Sequence, residues 1–230
     1  MRRTLFFILA LLFLCTSCAT RSPEKVSYTP EEEAEALRSA LVQASVQIDP
    51  HIFSQIPLEE YLGPRAKAMA EHSEIPLIGD RLEEWKASMA ELFTQTVIQS
   101  KQAIESYATH LVLDDTESLM RQDDGMSSLL ERQMGLQWQK EIDRTLQPKL
   151  TELSRTLSSI ATDYEIWARG KQATGSGSYP AITLPTVEDF SRFYLNRLLE
   201  ELKHQEVDVR TTPRVLGTGS LYEFFSRRKS

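Results

Sequence analysis

The chain is poor in the residues that carry chemistry. It has two cysteines, at positions 15 and 18, and none in the remaining 212 residues of its 230. The body beyond residue 18 therefore has no internal disulfide, thiolate metal site or cysteine nucleophile. It has four histidines, His51, His72, His110 and His204, and no pair stands in an H-x-x-x-H or H-E-x-x-H spacing. Nine glycines in the chain form no G-x-S-x-G, G-x-G-x-x-G or phosphate-binding loop. The closest echo, "GTGS" at Gly217–Ser220, reads as a turn into a final helix with Ser220 as its N-cap. Excess positive charge is missing too. The formal charge is −7, and without Arg2 and Arg3 it is near −9, with 24 basic residues against 33 acidic. An acidic surface repels phosphate backbones, so no nucleic-acid partner is expected.

What is present begins at the N-terminus. "MRRTLFFILALLFLCTSCATRS" has a short basic start and an apolar run from Leu5 to Leu14. Ten apolar residues match a secretory core better than a bilayer span. Thr16 and Ser17 then precede Cys18. The arrangement resembles a bacterial lipobox, in which cleavage exposes a cysteine that carries a diacylglycerol thioether. Cys15 stands where such boxes usually have leucine. A conventional cleaved signal and an uncleaved anchor are the alternatives. Residues 1–17 are expected to be a lipoprotein signal peptide, 18–29 a polar tether, and 30–230 one helical domain. Three acyl chains on Cys18, at about 0.8 kcal/mol per buried CH₂, form a durable anchor. Ala19, being non-acidic, fits the outer membrane facing the periplasm. The expected partners are the membrane, through this lipid, and an envelope protein.

The body shows helical periodicity and no sustained alternation. Thr29 and Pro30 with Glu31, Glu32 and Glu33 mark a helix start. Leu37, Leu41, Ala44 and Ile48 continue it to Asp49-Pro50. Gly63-Pro64 interrupts a second stretch. A long helix is expected from Asp80 to His110, striped by Leu82, Trp85, Met89, Leu92 and Thr96. Leu130, Met134, Trp138, Ile142 and Leu146 form the next stripe, which Pro148 is expected to bend or break. Leu150, Leu153, Leu157, Ile160, Tyr164 and Trp167 follow as an a/d-like seam. A Gly/Ser/Pro-rich loop at about 170–185 is expected to be flexible. Val187, Phe190, Tyr194, Leu198 and Leu202 then line another helix, and "LYEFFSRRKS" reads as a short amphipathic one. The expected fold is all-α: a multi-helix bundle with one long central helix and short capped connecting turns.

The acidic stretch "LVLDDTESLMRQDDG" at 111–125 invites a calcium reading. With Gly125 sixth in an EF-hand loop, Glu131 falls twelfth, but Met120 falls first and offers no hard oxygen. Helix capping fits better. Asp114 with Glu117 makes a box-like pattern, and Asp123 or Asp124 is placed to cap a helix beginning near Gly125. No catalytic residue, cofactor or metal site is expected. The expected role is a binding or structural module. A carrier of a small apolar ligand, with Trp and Met stripes lining a cavity, is the alternative. An enzyme built on an unrecognised cluster is the third reading.

Three segments, "IPLIGDRLEEWKASMAELFTQ", "LVLDDTESLMRQDDGMSSLLERQ" and the tail from Val187 to Lys229, occur in an order that resembles the bacterial secreted family known as domain of unknown function 4197. The likeness runs from about Pro30 to Lys229. Arg210, Pro213, Leu221 and Phe225 match the family tail, and Asp115, Asp123 and Asp124 fall on its acids. Where the family carries "NRAAE", this chain has "FTQTV". The resemblance implies a helical secreted domain and brings no activity with it.

Overall fold

A computed structural model describes residues 28–72, 75, 78–175, 177, 179–212 and 219–229. Cys15 and Cys18 lie outside the described residues. All regular structure among the described residues is helical, as the periodicity predicts: α1 (Pro30–Gln47), a 3₁₀ helix (Pro50–Gln55), α2 (Leu58–Leu62), α3 (Ala68–Glu71), α4 (Ile78–His110), α5 (Thr116–Arg121), α6 (Gly125–Ala173), α7 (Val187–Thr211) and α8 (Gly219–Lys229). Four of them make a ring. α1 packs on α4, α4 on α6, α6 on α7, and α7 back on α1. The short α5 and α8 close against this ring, on α1 and α6 and on α7 and α1 respectively.

Local chemistry sets the ends. Thr29 and Glu32 form a reciprocal capping box at the start of α1. At its other end the Lys101 ammonium, from α4, donates to the carbonyls of Val46 and Ile48 at 3.0 and 2.7 Å. Burial pulls that ammonium below its ordinary pKa, against the attraction of Asp49. Thr186 and Asp189 make a second box at the start of α7. Gly175, with φ of 73°, supplies the left-handed residue just past α6. The loop begins only after Ala173, later than the composition suggests. Thr183 N–H donates to the Arg65 carbonyl at 3.1 Å, and Tyr179 packs on Trp167 with ring centroids 4.8 Å apart.

The apolar stripes meet inside the ring. Leu37, Leu41, Phe93, Val97, Leu130, Leu146, Tyr194, Leu198 and Leu202 are fully buried. Rings bridge α4 and α7: Phe93 on Tyr194 and Trp85 on Phe190, at 5.2 and 5.7 Å. Two hydrogen bonds pair polar groups carried into this core, whereas the buried Tyr164 hydroxyl has no hydrogen-bond partner among the described residues. Trp85 Nε1 donates to the Leu153 carbonyl at 3.0 Å, and the Ser100 and Tyr194 hydroxyls share a hydrogen bond of 2.9 Å.

Two sequence expectations are corrected. Pro148 does not break the chain's second half, because α6 runs through it for 49 residues and is longer than the 33-residue α4. Leu146 and Leu150, both 0% exposed, lie on either side of the proline. The apolar seam keeps its phase across it, so packing holds both halves in one helix at the loss of one backbone bond. Ser220 is not an N-cap, since it lies inside α8. Pro148 is itself exposed. Pro148→Ala restores the missing N–H and is expected to stabilise the protein by about 1–2 kcal/mol, after the opposing unfolded-state effect. Urea unfolding measures this; an unchanged midpoint would mean the lost bond costs nothing.

Candidate functional site

The elbow at 111–125 is where the polar chemistry concentrates, and its organiser comes from another helix. α7 carries Phe190, Tyr194, Leu198 and Leu202 at steps of four, and the next two steps are Glu206 and Arg210. The helix cannot turn these two away from the core, so both charges go inside: Glu206 is 0% exposed and Arg210 2%. They form an i,i+4 ion pair.

Each charge also terminates a helix belonging to the elbow. The Glu206 carboxylate accepts from Met126 N–H at 3.1 Å, Ser127 N–H at 2.7 Å and the Ser127 hydroxyl at 2.6 Å. These are first-turn donors of α6, which lack partners within their own helix. Arg210 Nη1 donates to the carbonyls of Leu119 and Gln122 at 2.9 and 2.6 Å, at the end of α5. Anion at a helix start and cation at a helix end both suit the helix dipoles. The guanidinium also faces the Phe225 ring of α8 at 4.7 Å. Burial pushes the Glu206 carboxyl up from its ordinary pKa, opposed by Arg210, Ser127 and the two backbone donors. Burial likewise pulls Arg210 down, and Glu206, Asp123 and Asp124 hold it up.

This geometry corrects the capping assignments. Asp114 and Glu117 do not form a box. Asp115 is the N-cap of α5, accepting from Ser118 N–H at 2.9 Å. Asp124 occupies the cap position of α6 but makes no side-chain cap bond; Glu206 caps that helix from α7 instead. Gly125 has a steric reason. A Cβ there would lie 2.7 Å from the Leu119 carbonyl oxygen, which Arg210 fixes in place. At the start of the elbow, the Gln133 side-chain amide clamps Val112, accepting from its N–H at 3.1 Å and donating to its carbonyl at 3.0 Å.

The outer side of the elbow encloses a polar cavity of about 300 Å³, with Asp114, Asp115, Ser118, Gln122, Arg132 and Gln133 in its wall. Met120, at the first position of the calcium register, is 4% exposed and packs in the core. The histidines occupy four separate places: His51 in the 3₁₀ helix, His72 after α3, His110 at the end of α4 and His204 on α7. Among the described residues no group of three or more His, Cys, Asp or Glu side chains is placed to hold a metal ion. Trp85 and Trp138 are core residues, 2% and 1% exposed, while Trp167 is partly buried.

A second concavity, of about 510 Å³, lies between the start of α1 and α8. Tyr28, Ala36, Leu221 and Phe224 supply its apolar surface, and Glu31, Glu32 and Glu35 its charge. The Tyr28 and Phe224 rings meet at 4.2 Å.

No family model, curated protein or solved structure matches this chain.

Removing either member of the buried pair strands the other. Glu206→Leu and Arg210→Met are each expected to cost about 3–5 kcal/mol, and the double variant less than either single one. Chemical denaturation of all four proteins measures the coupling; additive losses would show that the charges act independently. Gly125→Ala is expected to lose about 1–3 kcal/mol by the overpacking of that close approach, read from the same unfolding curves.

Proposed function

We propose that this chain is a lipid-anchored protein of the cell envelope, attached through Cys18, whose helical body is a binding or structural module on the periplasmic side. We place it at the outer membrane and read it as non-catalytic. The observation that carries the reading is the sequence before the body: a basic start, ten apolar residues, then Cys15-Thr16-Ser17-Cys18. The start of the body fits a tether. The capping box at Thr29 begins the helical domain only ten residues beyond Ala19. Among the described residues no helix is long and apolar enough to cross a membrane, and the attachment proposed is the lipid.

The likeness to domain of unknown function 4197 belongs to the same proposal. Its support is spatial. Arg210 and Phe225, matched in the family tail, face each other at 4.7 Å. Asp123 and Asp124, matched in the family's acidic segment, act electrostatically on that same guanidinium. Residues that carry the resemblance from distant parts of the chain thus converge on one buried charge pair. Binding is favoured over carriage of an apolar ligand because Trp85 and Trp138, which a lined cavity would need, are taken up by packing.

Cys18→Ser is expected to abolish incorporation of a clickable palmitate analogue in bacterial cells and to move the protein from the membrane fraction to the soluble periplasm. Equal labelling of wild type and variant would refute the anchor.

A further inference from the structure

We propose that the groove between the start of α1 and α8 docks a basic amphipathic helix of another envelope protein. The location rests on the envelope reading above; the chemistry of the groove does not.

The charge on the groove is one-sided. Glu31, Glu32 and Glu35 face it, and all three are exposed. Glu32 is committed to the capping box, where it accepts from Thr29 N–H at 2.8 Å. Among the described residues, Glu31 and Glu35 have no cation as partner. They stand four apart on one helix, where like charges repel. Their position in the first turns of α1 offsets part of that repulsion, because the helix dipole is positive there. Both carboxylates are exposed and open to an incoming cation.

Their spacing matches a helical carrier of cations. Four residues of α-helix rise about 6 Å. A partner helix with Lys or Arg at i and i+4 presents positive charges at that same interval. Its apolar residues, on the flank of the same face, then meet the other wall. That wall is Leu221 and Phe224 of α8, with Ala36 in α1 and Tyr28 at the groove's end. Apolar anchors laid into a groove with charged groups at the rim constitute helix-in-groove recognition. Tyr28 lies ten residues after Cys18, so a lipid there would hold the groove within about 35 Å of the membrane.

The test is fluorescence anisotropy with the full chain in nonionic detergent, with a detergent blank subtracted. The probe is a labelled 14-residue helix with lysines at i and i+4 along a leucine face. Wild type is expected to bind it saturably, and less well as salt is raised. Glu31→Gln/Glu35→Gln is expected to weaken binding about five-fold, from two partly screened ion pairs. Ser39→Arg, which puts bulk and positive charge into the groove, is expected to weaken it at least as much. Glu59→Gln/Glu60→Gln on α2 is expected to bind as wild type does. The proposal is overturned if the control pair loses as much as the groove pair, or if an equivalent Leu/Glu helix binds equally well. It is also overturned if dodecylamine binds with the same variant dependence while the helix does not, which would make the groove a small-amphiphile site. Cys18→Ser is expected to bind the probe like wild type, so loss of the anchor and loss of the groove are separately visible.

Discussion

A carboxylate and a guanidinium, one turn apart on α7 and both removed from water, hold the elbow end of the bundle together. Glu206 terminates the start of α6, Arg210 terminates the end of α5, and Phe225 of α8 lies on the guanidinium face. Two buried charges carry a large desolvation penalty, which their attraction offsets only if the remaining donors and acceptors also find partners. Here most of the partners are backbone groups that helix ends leave unsatisfied, and the buried Arg210 Nε is left without a hydrogen-bond partner among the described residues. One pair thus satisfies two helix termini that their own chain segments do not cap. Four helices, α5, α6, α7 and α8, have their relative positions fixed at that point.

The remainder of the fold follows from continuous apolar seams. α6 passes through Pro148 because Leu146 and Leu150 both face the core, and a single missing bond does not outweigh the burial on either side. The rings of Phe93, Tyr194, Trp85 and Phe190 then set the spacing across the ring of helices. A packed body results, with Glu206 and Arg210 buried in it and most other acidic side chains at its surface. That distribution suits a protein that presents a face to a partner. In the groove beside α8, apolar surface coincides with carboxylates that have no cation partner among the described residues.

Much of the elbow was legible in the sequence, but its organiser was overlooked. The acidic run connects helices, as its turn and capping residues predict. Local spacing does not give the caps at Asp114 and Asp124, because Asp115 caps α5 and the donors at the start of α6 are satisfied by Glu206, 80 residues away. A signal for the true arrangement was present. The series Phe190, Tyr194, Leu198, Leu202 continues in steps of four onto Glu206 and Arg210. A charged pair falling on an apolar stripe is either a stripe that has ended or a pair that has been buried, and periodicity alone does not separate the two. Pro148 presents the same difficulty: its local penalty is certain, while the packing that outweighs it is contributed by other helices.

The sequence by itself determined the class of fold, most helix positions, the N-cap at Thr29 and the absence of cysteine from the body. These depend on period, on local hydrogen bonding and on composition, which one chain segment carries without reference to another. Only the tertiary structure decided that α6 is continuous, that Glu206 caps it from a distance, that Arg210 closes α5, and that α1 and α8 leave a groove between them. Each of those joins residues far apart in sequence. Their energies come from desolvation and close packing, which exist only once the helices are assembled.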